Sequence, residues 1–224
     1  MAALTTEQLC CLLKCLVAND TAAALGALPA DKLPGEIALV GNGDGAETTA
    51  AGRIRLSYCY ISNSDPQSMP GEHWIAFYFN HHTSMLEYFD SFGMPLSEYT
   101  DIYATLSSHN LIRMCVPANR VGTLQSPSST VCGHYCVMFL YWRTRHSHAS
   151  IDEFSSHAMQ FGVMSATQRD KQIVQQLRAL ARQADCCNHV DMLNDGSTCS
   201  NSNSNDACSQ ACVCNSDRRQ RCPR

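Results

Sequence analysis

Apolar residues fall at helical spacing near the start of the chain. Leu9, Leu12, Leu13, Leu16 and Val17, with Thr5 and Gln8 placed as a capping box, predict a helix over 5–18. Residues 41–52 are Gly- and Ala-rich and read as a loop. From 53 to 61 the pattern alternates. Ile54, Leu56, Tyr58 and Tyr60 share one face and Arg53, Arg55 and Ser57 the other, as in a half-buried strand. A turn-rich stretch, Asn63–Gly71, leads to the apolar run Trp74–Phe79, which reads as a buried strand. After a polar break at 80–84, Met85–Asp90 reads as a second strand. A helix over 96–108, a strand over 111–116 and a loop over 121–130 follow. Cys132–Arg145 is a strongly apolar helix. Ser150 caps a short helical piece, and Ile173, Leu177, Leu180 and Ala184 stripe an amphipathic helix over 165–184.

Beyond Asp185 the pattern stops. Residues 186–224 are Cys, Asn, Ser and Asp with few large apolar groups, too few to bury a core. This divides the chain into a domain over 1–184 and a tail over 185–224, expected to be disordered unless metal or disulfides tie it down. The 224 residues suffice for one domain with a real core. The net charge of -4 supplies no global basic field for nucleic acid or anionic membrane. The first twenty residues lack the basic start of a secretory signal, and the longest apolar block, around 131–142, is too short to span a bilayer. The expectation is a soluble, intracellular or particle-borne protein with no membrane partner. Of fourteen cysteines, seven precede residue 140 and seven follow residue 185. Without a secretory signal, reduced thiols, metal ligands or catalysis fit them better than disulfides. The tail cysteines are spaced only loosely like a zinc site.

Candidate chemistry centres on Cys132. It opens the apolar helix, where backbone N–H groups favour a thiolate, and Gly133 gives room for close approach. Cys136, one turn on, reads as a core residue. His134 is badly placed to act as base, because neighbouring helix positions do not face one another. His73 is better placed. It opens one strand while Asp90 closes the next. In an antiparallel hairpin with a two- or four-residue loop centred between His81 and His82, residues whose numbers sum to 163 face each other, as 73 and 90 do. A carboxylate there orients the imidazole and supports its charged form. A three- or five-residue loop would break the pairing. For an oxyanion, the Cys132 N–H is one donor and the Gln125 side-chain amide a candidate second.

In this order, His73-Trp74, Phe89-Asp90-Ser91-Phe92-Gly93, Gln125-Ser126, Cys132-Gly133-His134-Tyr135-Cys136 and Met138-Phe139-Leu140 resemble the adenovirus-type cysteine protease family (adenain), in particular its forms in Maverick/Polinton-type elements and related viruses. The likeness is dense over 71–142. It implies a papain-like α+β fold, with a central mixed sheet flanked by helices and the nucleophile on a buried helix. It implies His73 as base, Asp90 as orienting acid, Gln125 as oxyanion donor and Cys132 as nucleophile. It further implies cleavage of viral or mobile-element precursor proteins during particle maturation, placing the protein in a host nucleus or virus particle. Mammalian adenovirus enzymes carry Glu where this chain has Asp90, and either carboxylate serves. They are also stimulated by DNA and by a short viral peptide attached through a cysteine. Cys115 lies near that stretch, although its spacing to Gln125 differs and the acidic balance speaks against DNA. No cofactor is expected for the chemistry.

Blander readings stand beside these. Cys132 alone could be a core cysteine, Asp90 a turn cap before Ser91-Phe92-Gly93, Gln125 a loop amide, and Trp74 core packing or a wall of the substrate groove. His81 and His82 read as a solvated turn. Two other functions compete: removal of ubiquitin-like modifiers by the same triad, and an inactive domesticated copy acting as a binding module.

Overall fold

The structure is a computed structural model and describes residues 2–19, 21–41, 57–80, 82–119, 122–149, 164–184 and 186. The expectations for Arg53–Leu56, for His81, for the helical piece at Ser150 and for the tail beyond Cys186 lie outside these residues, as does most of the 41–52 loop.

Helix α1 (Thr6–Leu12) starts at the expected capping box, with Thr5 and Gln8 bonded reciprocally. It runs on as one π-helical turn, Leu13–Val17. Strand β1 (Ala22–Leu28) follows, then α2 (Gly35–Gly41), β2 (Ser57–Asn63), β3 (Trp74–Asn80) and β4 (Met85–Phe89). The helix expected over 96–108 is broken. A 3-10 turn, Leu96–Glu98, gives way at Tyr99 to α3 (Thr100–Ser108). The strand expected over 111–116 is mostly a 3-10 turn, with β5 (Cys115–Pro117) only three residues long. Helices α4 (Cys132–Arg145) and α5 (Ala166–Gln183) lie where the pattern puts them, α5 behind a Ser165–Gln168 capping box.

The five strands form one mixed sheet in chain order. β1 pairs with β2 and β4 with β5 in parallel, and the two central hairpin pairings are antiparallel. Helices cover both faces. Alternation along β3 sends Ile75, Phe77 and Phe79 to a core shared with α2 and α3, and Ala76 and Tyr78 to a core shared with α1, α4 and α5. This corrects the reading of β2 as half-buried: all seven of its residues are buried. An internal strand between two helical layers has no solvent face.

The cysteines bring a second correction. Cys15, in the π-helical turn, is joined to Cys186 by a disulfide, with Cα atoms 5.6 Å apart. Reduced thiols were expected from the lack of a secretory signal. The fold instead packs the end of α5 against the π-helical turn and brings the two within bonding distance. Cys186 is itself buried. Among the described residues no helix is long and apolar enough to cross a membrane.

Candidate active site

β3 and β4 present the first two site residues, in a register that differs from the expected one. Ala76 faces Phe89 and Asn80 faces Met85, so facing residues sum to 165 and the loop is four residues, 81–84. Asp90 lies just past β4 and His73 just before β3. The two-residue shift preserves side-chain parity, so the pair meets diagonally rather than face to face. His73 Nε2 lies 2.6 Å from Asp90 Oδ1. The His73 backbone is fixed by Ser64, whose Oγ accepts its N–H at 3.1 Å and whose N–H donates to its carbonyl at 2.8 Å.

Asp90 is almost fully buried and accepts four hydrogen bonds, two on each oxygen. Oδ1 takes His73 and the Phe92 N–H (3.0 Å). Oδ2 takes the Met94 N–H (2.7 Å) and the Tyr99 hydroxyl (2.9 Å). One carboxylate therefore both caps the turn after β4 and bonds the His73 ring. Burial opposes its ionisation, but the bonds from His73 and the two backbone N–H groups outweigh burial and hold its pKa below the ordinary value. Phe92 stacks on the His73 ring at 4.8 Å, and Tyr99 lies 6.0 Å from it. The break before α3 is what turns the Tyr99 hydroxyl to Asp90. Sequence reading assigned no role to Tyr99, which falls inside the span it took for an unbroken helix.

Cys132 is the first residue of α4 and is buried. Its helix has no side-chain N-cap, since position Val131 offers no acceptor. Cys132 lies close enough to the His73 side chain to act on its ionisation. Burial alone would lower the His73 pKa, but the bond to Asp90 and the nearby Cys132 thiol overcome this and push it up to about 9. His73 is thus biased towards the imidazolium. Gly133 is closely packed: a Cβ there would meet Leu9 Cδ2 at 3.2 Å, Leu4 Cβ at 3.3 Å and Trp74 Cδ1 at 3.4 Å, so these side chains would have to give slightly.

Gln125 is 1% exposed and rigidly held. Its Oε1 accepts from Ser91 Oγ at 2.7 Å, and its Nε2 donates to Ser129 O at 2.7 Å, which leaves one carboxamide N–H without a partner among the described residues. The Ser91 carbonyl accepts the backbone N–H groups of Leu124 and Gln125. The loop that carries Gln125 is thereby stitched to the residue after Asp90. A second stitch is Asn119, whose Nδ2 donates to Asp90 O (2.8 Å) and Gly122 O (2.9 Å). Gly93, at φ +70°, completes the contact: a Cβ there would lie 2.8 Å from the Gly122 carbonyl carbon. Gly93→Ala is expected to lower stability by about 1–3 kcal/mol, measured by urea unfolding. No loss of stability would show that the two loops part without cost.

The adenovirus endoprotease family model matches residues 54–176, more than half the chain and all four site positions. The chain belongs to the adenovirus endoprotease family. It is 29% identical over 131 residues to the protease of Human adenovirus A serotype 12, covering 54% of this chain and 63% of that one. It is 30% identical over 92 residues to the protease of Human adenovirus B serotype 3, covering 37% and 44%. The chain thus spans less than two thirds of these relatives' length. Among solved structures, ChlaDub1 from Chlamydia trachomatis superposes with TM-score 0.55 at 14% identity, over 82% of this chain and 94% of that one. A second Chlamydia trachomatis ChlaDUB1 structure gives 0.52 at 13%, over 82% and 86%. At such identities the likeness is one of fold, here the mixed sheet with its buried helix α4.

His134, Cys136 and Cys115 of this adenovirus-endoprotease chain make no hydrogen bond to His73 or Asp90 among the described residues. His134 is buried, its Nδ1 is unbonded, and burial, reinforced by Arg178, holds its pKa down to about 4. It is a neutral core histidine. Cys136 donates to the Trp74 carbonyl at 3.2 Å, and burial raises its thiol pKa far above the ordinary value. Trp74 is half-buried beside Gly133, so it both packs and borders the site. Cys115, singled out with the resemblance, is half-buried on β5 with its thiol pushed up to about 12 by burial.

Proposed function

We propose that this chain is a cysteine endopeptidase in which Cys132 is the nucleophile, His73 the base and Asp90 the residue that orients the base. The observation that carries this reading is the 2.6 Å contact between Asp90 and His73, with Cys132 opening α4 close enough to act on the His73 ring. The Cys132 thiolate attacks the scissile carbonyl. The His73 imidazolium, its charge supported by Asp90, then gives its proton to the leaving amine. The Cys132 N–H and the free carboxamide N–H of Gln125 receive the oxyanion. One such donor contributes about 3–4 kcal/mol to the transition state. Water, activated by neutral His73, then releases the acyl group. Family membership favours precursor proteins of a virus or virus-like element as substrates, cleaved during particle maturation.

The test is alkylation by iodoacetamide with the labelled residue mapped by mass spectrometry. Cys132 is expected to react first among the fourteen cysteines, and His73→Ala to lose that preference. Labelling spread over other cysteines and indifferent to His73 would refute the reading. Cleavage of a capsid precursor in preference to a panel of tagged ubiquitin-like modifiers would support the substrate assignment, and the reverse preference would replace it.

A further inference from the structure

Helix α5 lies outside the catalytic line, yet two adjacent residues in its first turns reach the Gln125 loop from both sides. Arg169 Nε donates to the Leu124 carbonyl at 2.9 Å, and its Nη2 donates to the Thr123 carbonyl at 3.3 Å. Asp170 accepts the Ser126 N–H through both oxygens, at 3.2 and 3.4 Å. The peptide groups before and after Gln125 are thus gripped by neighbouring residues of one helix. Asp170 is fully buried on the stripe that carries Ile173, Val174 and Leu177. A carboxylate placed there has a large desolvation cost, which only well-made hydrogen bonds offset. Its second donor is the Tyr135 hydroxyl at 3.1 Å, which also lies 3.4 Å from the Leu124 carbonyl. Tyr135 stands on α4 three residues beyond Cys132. One clamp therefore holds the Gln125 loop and the helix bearing Cys132 in a fixed relation.

We propose that Asp170, with Arg169 and Tyr135, is a positioning residue that sets where the Gln125 carboxamide stands relative to Cys132, and so determines how well a tetrahedral oxyanion is held. This rests on the roles given above to Gln125 and Cys132. The clamp touches neither substrate nor His73. Its loss leaves the thiolate reactive and blunts only steps that develop an oxyanion.

Two reagents separate these effects without knowledge of the natural substrate. Iodoacetamide alkylates a thiolate at saturated carbon with no oxyanion, whereas p-nitrophenyl acetate acylates it through a tetrahedral oxyanion. Both products at Cys132 are read by mass spectrometry in the full chain. Arg169→Met, a change at a partly exposed position, and Asp170→Ala are each expected to slow acylation roughly tenfold or more while alkylation keeps its rate. Asp170→Asn, which retains an acceptor for the Ser126 N–H, is expected to recover much of the loss. In a Gln125→Ala background neither change slows acylation further. Arg169→Met keeps the question open to refutation if Asp170→Ala does not fold. Unchanged acylation in both variants, parallel loss of acylation and alkylation, or undiminished slowing in the Gln125→Ala background would each overturn the proposal. The underlying reading fails separately: Gln125→Ala alone leaves acylation untouched, or wild-type Cys132 shows no selective alkylation, and the clamp then loses its purpose as well.

Discussion

Asp90→Asn is expected to slow peptide cleavage by roughly 10³–10⁴-fold. The reason lies in the four donors around the carboxylate. Asparagine is nearly isosteric but carries a donor in place of one oxygen. Each oxygen of Asp90 accepts one backbone N–H, from Phe92 on Oδ1 and from Met94 on Oδ2. Whichever way the amide turns, its NH₂ faces a donor. Turned towards Phe92, it also faces His73 Nε2, presents a donor where the ring needs an acceptor, and selects the wrong tautomer. Turned towards Met94, it opposes that N–H and the Tyr99 hydroxyl. The substitution therefore costs stability too, on the order of 1–3 kcal/mol for an unmatched buried donor, so the rate must be compared on protein shown to be folded.

The pH dependence supplies an independent reading of the same residue. His73 is raised from 6.5 to about 9 by its partners. Its contribution to stability is fully present below 6.5 and is lost as pH rises through about 9. Asp90 is lowered from 3.8, so its contribution is present above 3.8 and is lost as pH falls through its lower folded value. If His73 acts as proposed, the alkaline limit of cleavage lies near 9, where its imidazolium disappears. In Asp90→Asn that limit should move to lower pH. An unmoved alkaline limit would show that Asp90 is not what holds the His73 proton.

How much of this could be read from the sequence depends on the kind of signal. Side-chain parity in two short apolar strands was enough to put His73 and Asp90 together, and a two-residue error in register did no damage because parity survived it. The start of α4 at Cys132 was visible because the apolar run begins there abruptly. β1 was not visible: its sequence, AAALGAL, has neither alternation nor β-branched side chains, and its strand state comes from pairing with β2. The bonds of Tyr99, Asn119 and Arg169 are long-range and leave no local pattern. Asp170 did leave one, since it sits on the apolar stripe of α5, three residues before Ile173. A carboxylate on a buried face asks for buried partners.

Glu87→Ala is expected to destabilise the fold by about 3–5 kcal/mol. Glu87 lies on β4 and Arg143 in the last turn of α4, both almost fully buried. They meet in two bonds, Nε to Oε2 at 2.6 Å and Nη2 to Oε1 at 2.7 Å. Removing the carboxylate leaves a guanidinium charge in the core over the Tyr78 ring, its centre 5.1 Å from the centroid. Replacing both residues by apolar ones of similar size, as in Glu87→Leu with Arg143→Met, removes that stranded charge and should cost less than Glu87→Ala alone. It should still not be neutral, because Arg143 Nη1 also donates to the carbonyls of His146 and Ala149 and so closes the end of α4. Urea unfolding of the two variants checks the order, and a Glu87→Ala cost below about 1 kcal/mol would mean that water screens the pair. The functional weight of the pair follows from helix geometry. Fourteen residues of α4 span about 20 Å. The ion pair pins one end of that rod to the strand that leads into Asp90, while Cys132 at the other end faces His73. Loosening the far end therefore moves Cys132 relative to His73 and Asp90, which stay with the sheet, so Glu87→Ala should lower selective alkylation of Cys132 even in the fraction that remains folded.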